Sequence, residues 1–269
     1  MIYEKSLPAM GSSFIYQILL KNGIKESAAE NAVEKAHGEV LKIQNRYSEF
    51  DENSFLSQIN RSAGYSSLKI SMDDYILFKK SLDFGNLSKG VFDIAFRSQA
   101  FSYKDIKLND QEIFLPYKGM KISLGGIGKG HAVDCAYQKL KQLGMENFMV
   151  NGSGDIRVHT LKNALRPWNI GIKNPFNMKK FIGKIPLVKG AIASSGNYIQ
   201  QNHIQCLNDS LKGVTVIDRD ATSADVWGTS LFRMGLDRAI ETIKKYDLNA
   251  VLIDRSGRVH NFINQEVIA

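Results

Sequence analysis

The stretch that decides the fold, residues 122–134, reads ISLGGIGKGHAVD. An apolar run typical of a strand passes through a glycine-rich turn containing Lys129 and continues as a helix. The glycines leave the turn without side-chain bulk, which suits either tight backbone geometry or close approach to a phosphate. Free N–H groups at the start of the helix would attract the same anion. The spacing of the glycines fits neither a Walker motif nor a dinucleotide fingerprint. A tight turn and a phosphate contact therefore both remain open as explanations of the glycines.

A second stretch, residues 223–229, reads SADVWGT and places Asp225 and Thr229 four residues apart. That spacing puts both side chains on one face of a helix. An Asp near a helix start is either a cap or a ligand, and hard oxygen ligands favour Mg²⁺ over zinc. Mg²⁺ needs few protein ligands, because water and phosphate supply the rest. The two stretches together suggest a site for a nucleotide diphosphate.

Apolar spacing along the rest of the chain predicts helices early and short strands in the middle. Helices are predicted over residues 26–47, 53–59, 72–87, 223–234 and 237–245, with one more that follows Ser123 and ends at Gly144. Strands are predicted over residues 14–20, 148–150, 156–159, 168–172, 181–187, 214–217, 251–253 and 258–262. No regular βαβ alternation occurs, so we predict an α+β fold with mostly antiparallel sheets and flanking helices. We expect residues 1–269 to form one domain of two intimately packed halves.

The bulk composition is that of an ordinary globular protein, with 43% apolar and 23% charged residues among 269. No apolar stretch reaches the roughly 18 residues of a transmembrane helix. The first residues contain no signal peptide, so we expect a cytoplasmic protein, or a periplasmic one if a lipoprotein signal has been removed. The net charge of +8 favours anionic partners, yet no run of five basic residues supports nucleic-acid binding. Cys135 and Cys206 are expected to be free thiols.

Several polar positions have a structural explanation beside a functional one. Asn53 is predicted to cap the short helix that follows it, and Asp93 to cap or turn the chain after a helix end. His203 lies in a polar stretch between strand-like segments, where it is either a surface residue or a base close to the diphosphate. His37 is predicted on a solvated helix face, and residues 152–155 are predicted to form a turn.

Eight short motifs follow one another along nearly the whole chain. They are AMGS at 9–12, FDENSFLSQIN at 50–60, GVFD at 90–93, ISLGGIGKGHAVD at 122–134, NGSGDIRV at 151–158, WNIGIKNP at 168–175, ASSGNY at 193–198 and SADVWGTSLFRMG at 223–235. In this order they resemble the motifs of the ApbE family of FAD:protein FMN transferases. Each motif alone is weak, and it is their order that makes the resemblance specific.

This resemblance implies Mg²⁺-dependent transfer of FMN from FAD to a Thr or Ser hydroxyl of an acceptor flavoprotein, with release of AMP. It implies Mg²⁺ held by the Gly126 carbonyl, Asp225 and Thr229 together with phosphate oxygens. His203 would be the base for the acceptor hydroxyl, and Lys129 would neutralise phosphate charge. The implied FAD-binding residues are Met10, Phe50, Val91, Phe92, Asp93, Ser123, Lys129 and Gln205.

The chain departs from the family pattern at several positions. The family's H-I-I-D-P-x-T-G segment, which shapes the acceptor side, is replaced by HIQCLNDS from His203. Ser123 replaces an Asp, Phe50 a flavin-contacting Tyr, and Gly228 an acidic residue that some members have. FAD binding is therefore expected more firmly than transfer. The alternatives are a hydrolase that splits FAD into FMN and AMP, and an FAD-binding protein without catalysis.

Overall fold

The computed structural model describes residues 1–21, 23–98, 100–161, 167–196 and 208–264. Two compact units make up the chain, one formed by Met1–Leu41 with Lys129–Ala269 and the other by Lys42–Gly128. Helices accompany sheets in which the strand pairs are antiparallel, so the predicted α+β class is confirmed. The prediction of a single domain with two packed halves stays a prediction.

The helices and strands are numbered here in chain order. The helices are α1 (Glu26–Tyr47), α2 (Phe55–Arg61), α3 (Met72–Leu87), α4 (Gly128–Gln142), α5 (Ala221–Met234) and α6 (Leu236–Tyr246). The strands are β1 (Ile2–Ala9), β2 (Ser12–Leu19), β3 (Leu68–Lys69), β4 (Lys107–Leu108), β5 (Glu112–Phe114), β6 (Phe148–Gly152), β7 (Asp155–His159), β8 (Trp168–Asn174), β9 (Asn177–Leu187), β10 (Gly190–Ser195), β11 (Leu211–Asp218), β12 (Asn249–Asp254) and β13 (Val259–Asn261).

The first unit contains an eight-stranded sheet in the order β1-β2-β6-β7-β10-β11-β12-β13. Its first hairpin turns at Met10 and Gly11, whose φ angles of 53° and 68° are those of a two-residue turn that matches strand twist. Along β2 the side chains of Phe14, Tyr16 and Ile18 are fully buried, because alternate residues point to the same face. Helix α5 packs on β10 and β11, which fixes its position on this sheet.

A separate two-stranded sheet, β8 with β9, also belongs to the first unit. Its base is apolar: Ile170, Ile172, Ile185 and Leu187 are buried in one cluster with residues of the large sheet such as Val158. The burial of these aliphatic side chains anchors the base of the hairpin to the large sheet.

The second unit combines α2 and α3 with a three-stranded sheet in the order β3-β5-β4. The extended chain that leads into the glycine-rich turn is held by side chains in place of a neighbouring strand. Asn60 accepts from the N–H of Ile122 at 2.8 Å and donates to its carbonyl at 3.0 Å. The N–H of Ser123 donates to the carbonyl of Ile94 at 2.7 Å. These bonds satisfy backbone groups that would otherwise lack partners, and they fix where the turn begins.

Two local predictions are wrong. The N-cap of α2 is Ser54, whose hydroxyl accepts from the N–H of Ser57, so the cap is one residue after Asn53. His37 is buried instead of solvated, since its Nδ1 lies 3.0 Å from the hydroxyl of Tyr16 and burial lowers its pKa. Helical spacing alone could not reveal that β2 covers this face of α1.

Other local predictions are confirmed. Gly144 ends α4 with a φ of 78°, and residues 152–155 form the turn between β6 and β7. Cys135 is a free thiol, whereas Cys206 lies outside the described residues.

Strands β1 and β10 and the short strands β3, β4 and β5 were not predicted. Within the described ranges, no helix is long and apolar enough to cross a bilayer.

The buried carboxylate of Asp74 yields a pH prediction. Burial alone would raise its pKa, but hydrogen bonds from Arg46, Ser71 and Tyr47 outweigh burial and lower the pKa to about 2. Because the folded pKa is below the ordinary value, this stabilisation is complete above about pH 4 and is lost as the pH falls towards 2. We expect Asp74→Asn to lower the free energy of unfolding by roughly 2 kcal/mol at neutral pH.

Urea unfolding of the wild type and Asp74→Asn at neutral pH and near pH 3 measures this effect. The difference between the two proteins should shrink at the lower pH. An equal difference at both pH values would show that Asp74 acts through packing alone. Asp83→Asn, at an exposed carboxylate of the same helix, serves as the control.

Candidate active site

The N-terminal ends of α4 and α5 meet at Gly130. Its N–H donates to Oδ2 of Asp225 at 3.1 Å. A Cβ atom on Gly130 would lie 2.8 Å from the carbonyl carbon of Ala221 and 2.9 Å from Cβ of Asp225. Glycine is therefore required at this position, because any side chain would push the two helices apart. This close approach explains one of the four glycines in the turn.

Two buried carboxylates and one lysine lie around this contact. Asp225 and Asp155 are 4% and 2% exposed, and Nζ of Lys129 lies 2.8 Å from Oδ2 of Asp155. Burial, followed by the charge of Asp155, raises the pKa of Asp225 to about 8, against the opposing effects of Lys129 and the Gly130 N–H. Burial also raises the pKa of Asp155. The site thus places two acidic groups where water is largely excluded, and this environment favours their protonated forms unless a cation lies beside them.

Asp134, the last residue of the glycine-rich motif, caps the first turn of α5. Its two carboxylate oxygens accept from the N–H groups of Ala221 and Thr222, each at 2.9 Å. Nη1 of Arg157 lies 2.7 Å from Oδ1 of Asp134 and neutralises its charge. The guanidinium also lies over the ring of Tyr137, 3.9 Å from its centroid. Through these bonds one carboxylate ties α4 and α5 to strand β7.

Asp225 is not the N-cap of its helix. That position belongs to Asp220, whose side chain accepts from the N–H of Ser223 at 2.8 Å. Together with the bonds to Asp134, this leaves no capping role for Asp225. The carboxylate of Asp225 instead faces the start of α4, and Thr229 follows one turn later on the same face.

The donor set fits Mg²⁺. It consists of hard oxygens from Asp225, Thr229 and the neighbouring Asp155, and a divalent cation would offset their buried negative charge. Among the residues that the structure describes, no group of three or more His, Cys, Asp or Glu side chains could hold a metal ion. A site of one or two carboxylates that shares its cation with a phosphate ligand is the arrangement Mg²⁺ commonly uses.

The second unit contains four of the predicted FAD-binding residues outside the glycine-rich motif. Phe50 is 95% exposed, so its ring is available to stack on a ligand. Val91 and Phe92 are buried side chains, and only their backbone could contact a ligand. Asp93 has the turn role that was predicted as its structural alternative, since it accepts from the N–H groups of Ala95 and Tyr103. The binding roles themselves stay predictions.

Ser123 has an acidic neighbour that the sequence did not reveal. Its hydroxyl hydrogen-bonds to Oε1 of Glu49, and Oε2 of Glu49 lies 2.9 Å from Nη2 of Arg97. The same hydroxyl accepts from the N–H of Gly125 at 3.3 Å. A carboxylate therefore lies beside the position at which the family pattern has an Asp.

The first unit brings the helix start that carries Lys129 into contact with Asp225, and Thr229 lies one turn later on α5. The binding roles of Lys129, Asp225 and Thr229 stay predictions. Met10 belongs to the same unit, at the turn between β1 and β2. Gly126 belongs to the second unit, and its share in a metal site stays a prediction. The predictions for His203 and Gln205 fall outside the described residues.

Three residues of this site were missed by sequence reasoning: Asp134, Asp155 and Arg157. All three lie within the quoted motifs, where Asp155 was read as part of a turn and the other two were given no role. The signal that could have identified them was their charge, since all three are charged residues within or next to glycine-rich motifs. Their partners, however, lie up to 88 residues away in the sequence, which spacing rules cannot connect.

Comparison with known proteins identifies the family. A model described as the ApbE family matches residues 10–100 and 96–252. The chain belongs to the ApbE family. This confirms the predicted family membership, which the order of the motifs correctly indicated.

Named relatives agree with this membership. A protein from Vibrio cholerae named FAD:protein FMN transferase is 24% identical over 91% of this chain and 85% of its own length. A protein of the same name from Klebsiella pneumoniae is 29% identical over 54% of this chain, and the match spans only 49% of that protein's length.

The crystal structure of the ApbE protein from Thermotoga maritima has a TM-score of 0.84 at 24% identity, covering 97% of both chains. The flavin transferase ApbE from Vibrio cholerae has a TM-score of 0.86 at 20% identity, again covering 97% of both. These likenesses confirm the fold.

Replacement of Asp134 tests its capping role. We expect Asp134→Ala to lower the free energy of unfolding by about 2 kcal/mol, because two N–H groups of α5 and the Arg157 guanidinium lose their partner. Asp134→Asn should cost less, since its amide oxygen still accepts one of these bonds. Thermal and urea unfolding measure both.

Asp237→Ala is the matched control, because Asp237 lies in the first turn of α6, where the structure has no side-chain cap. Its effect should stay within about 0.5 kcal/mol. Equal losses at the two positions would contradict a specific role for Asp134.

Proposed function

We propose that this chain is a flavin transferase that moves FMN from FAD to a Thr or Ser hydroxyl of an acceptor flavoprotein and releases AMP. The observation that carries the proposal is the contact of the α4 N-terminus with the buried Asp225, beside which Lys129 is paired with Asp155. Membership of the ApbE family and the names of its relatives support the same reaction.

A diphosphate is the ligand that best suits this arrangement. The first N–H groups of α4 attract anions through their unsatisfied hydrogen bonds and the helix dipole. Lys129 is held by Asp155, yet 32% of its side chain remains exposed. Its ammonium has three donors, so it can keep its bond to Asp155 and donate to a phosphate oxygen as well. Asp155 would thereby fix the direction from which Lys129 approaches the ligand.

Asp225 and Thr229 would hold Mg²⁺, and the resemblance adds the carbonyl of Gly126. When bound, the cation would neutralise charge on the diphosphate and on the departing AMP. Asp225 would bind it as a carboxylate, because a divalent cation favours the charged form of a buried acid. The Gly130 N–H would keep that carboxylate oriented by its bond to Oδ2.

In the proposed reaction the acceptor hydroxyl oxygen attacks the phosphorus on the FMN side of the diphosphate. A new P–O bond forms, the P–O bond to AMP breaks, and AMP leaves with the electron pair. The hydroxyl proton passes to a base, for which His203 is the candidate. Water in place of the hydroxyl would give FMN and AMP instead.

One incubation separates the three possible activities. The chain is mixed with FAD, Mg²⁺ and candidate acceptor subunits, and the products are followed by in-gel flavin fluorescence and by chromatography of AMP. Covalent flavin on the acceptor supports transfer. AMP release without an acceptor product indicates a hydrolase, and intact bound FAD indicates a binding protein. Either of the last two results would overturn the transferase proposal.

Substitutions of the two ligands test the metal site. We expect Asp225→Asn to lower the rate of AMP formation at least about 100-fold, and Thr229→Val about tenfold, because Asn and Val bind Mg²⁺ poorly or not at all. Addition of Mg²⁺ with FAD should raise the melting temperature of the wild type but not of Asp225→Asn. Asp237→Asn is the control and should behave as the wild type. An unchanged Mg²⁺ response in Asp225→Asn would remove Asp225 as a ligand.

Replacement of His203 tests the base. His203→Ala should slow transfer on the order of 100-fold while it changes the FAD dissociation constant less than about threefold. Stopped assays of covalent flavin and fluorescence titration with FAD measure the two quantities. Unimpaired transfer would show that another residue or solvent accepts the proton.

A further inference from the structure

The excess of positive over negative charge in the chain arises in one segment. Residues 156–208 contain eight of the 35 basic residues and none of the 27 acidic ones. The other 27 basic residues equal the acidic residues in number, so this segment accounts for the entire net charge of +8. Because its lysines and arginines are spaced apart, a search for consecutive basic residues does not find it.

The described centre of this segment is the hairpin of β8 and β9. Lys173, Lys179, Lys180 and Lys184 on the hairpin, and Lys189 just after it, are exposed. Among the residues that the structure describes, none of the five forms an ion pair. Their charges are therefore available to an anionic surface outside the molecule.

Apolar side chains are exposed between these lysines. Residues 176–181 read FNMKKF, and all six are exposed. Phe176, Met178 and Phe181 are exposed by 54%, 37% and 58%. Large apolar groups concentrated on one exposed element mark a contact with a partner or a membrane.

The local structure holds these rings at the surface. The ring of Phe181 lies against Gly171, where a Cβ atom would approach it to 2.5 Å, so the glycine provides the space for the ring. The ring of Phe176 lies next to Gly257 in the turn between β12 and β13. Side-chain oxygens of Asn174 and Asn177 accept from backbone N–H groups in and just after the turn between β8 and β9. The far half of the hairpin is thus ordered by its own contacts, while its base is anchored in the core.

We propose that the far half of this hairpin, Lys173–Lys184, binds the surface of an anionic phospholipid bilayer. The lysines would lie among the headgroups, and the two Phe rings and Met178 would enter the interface. A bilayer is favoured over an acidic protein because every charge on the hairpin is a lysine. A lysine acts as a point charge that suits a diffuse anionic surface, whereas arginine has the planar fork that recognises individual carboxylates.

Vesicle sedimentation tests the proposal with the full chain. The probes are phosphatidylcholine vesicles with and without one quarter phosphatidylglycerol. The wild type should partition at least about tenfold more strongly onto the anionic vesicles, and high salt should weaken this binding. Lys179→Gln/Lys180→Gln should lower the partition coefficient by about 25-fold, since each lysine near the surface contributes about fivefold. Phe176→Ser/Phe181→Ser should remove the part of the binding that resists salt.

Lys244→Gln/Lys245→Gln on α6 is the matched control, because it removes two exposed lysines and gives the same net charge. Its binding should stay within about twofold of the wild type. Thermal unfolding of each variant confirms that it folds. Equal binding to both kinds of vesicle, or an equal loss in the control, would overturn the proposal. Capture of the wild type by immobilised polyglutamate without binding to anionic vesicles would overturn it in favour of an acidic protein partner.

Discussion

The carboxylate of Asp134 is the interaction on which the arrangement of the first unit depends. It closes the first turn of α5 from a position on α4, and Arg157 on β7 compensates its charge. Three elements that are distant in the sequence thus share one ionic bond network. The absence of a side chain at Gly130 lets the helices come close enough for that network to form. The position of Asp225 relative to Lys129 follows from these two constraints.

The two buried carboxyl groups of the site are only partly compensated by positive charge, as is expected of a functional site. Asp155 and Asp225 are both buried, while Lys129 is the principal cation beside them. Burying like charges costs folding free energy that well-packed apolar residues would not cost. Local departures of this kind are expected at functional sites, where stability is lower than the same fold could reach. Binding of a cation, or protonation of one carboxyl, would remove the repulsion between the two buried carboxylates.

Sequence reasoning predicted the features that repeat along the chain and missed those that depend on distant partners. Helices α1 and α3 were predicted with their observed bounds because long amphipathic periodicity is a strong indicator. Strand β10 was missed since GAIASS has no alternation of polar and apolar residues, its positions being buried on both faces. Lys129, Asp225 and Thr229 were proposed from local spacing and then from motif order. Asp134 was not, because capping of a helix 87 residues later leaves no local pattern.

The pairing of Ser123 with Glu49 places a carboxylate next to the position at which the family pattern has an Asp. A pattern search that requires an acid at position 123 would discard this chain, although an acid from a different loop lies beside that position. An acid introduced at position 123 would place two carboxylates in contact and would repel Glu49, so the residue types at these two positions depend on each other. Divergent members of a protein family are therefore better judged by which groups meet than by which letters align.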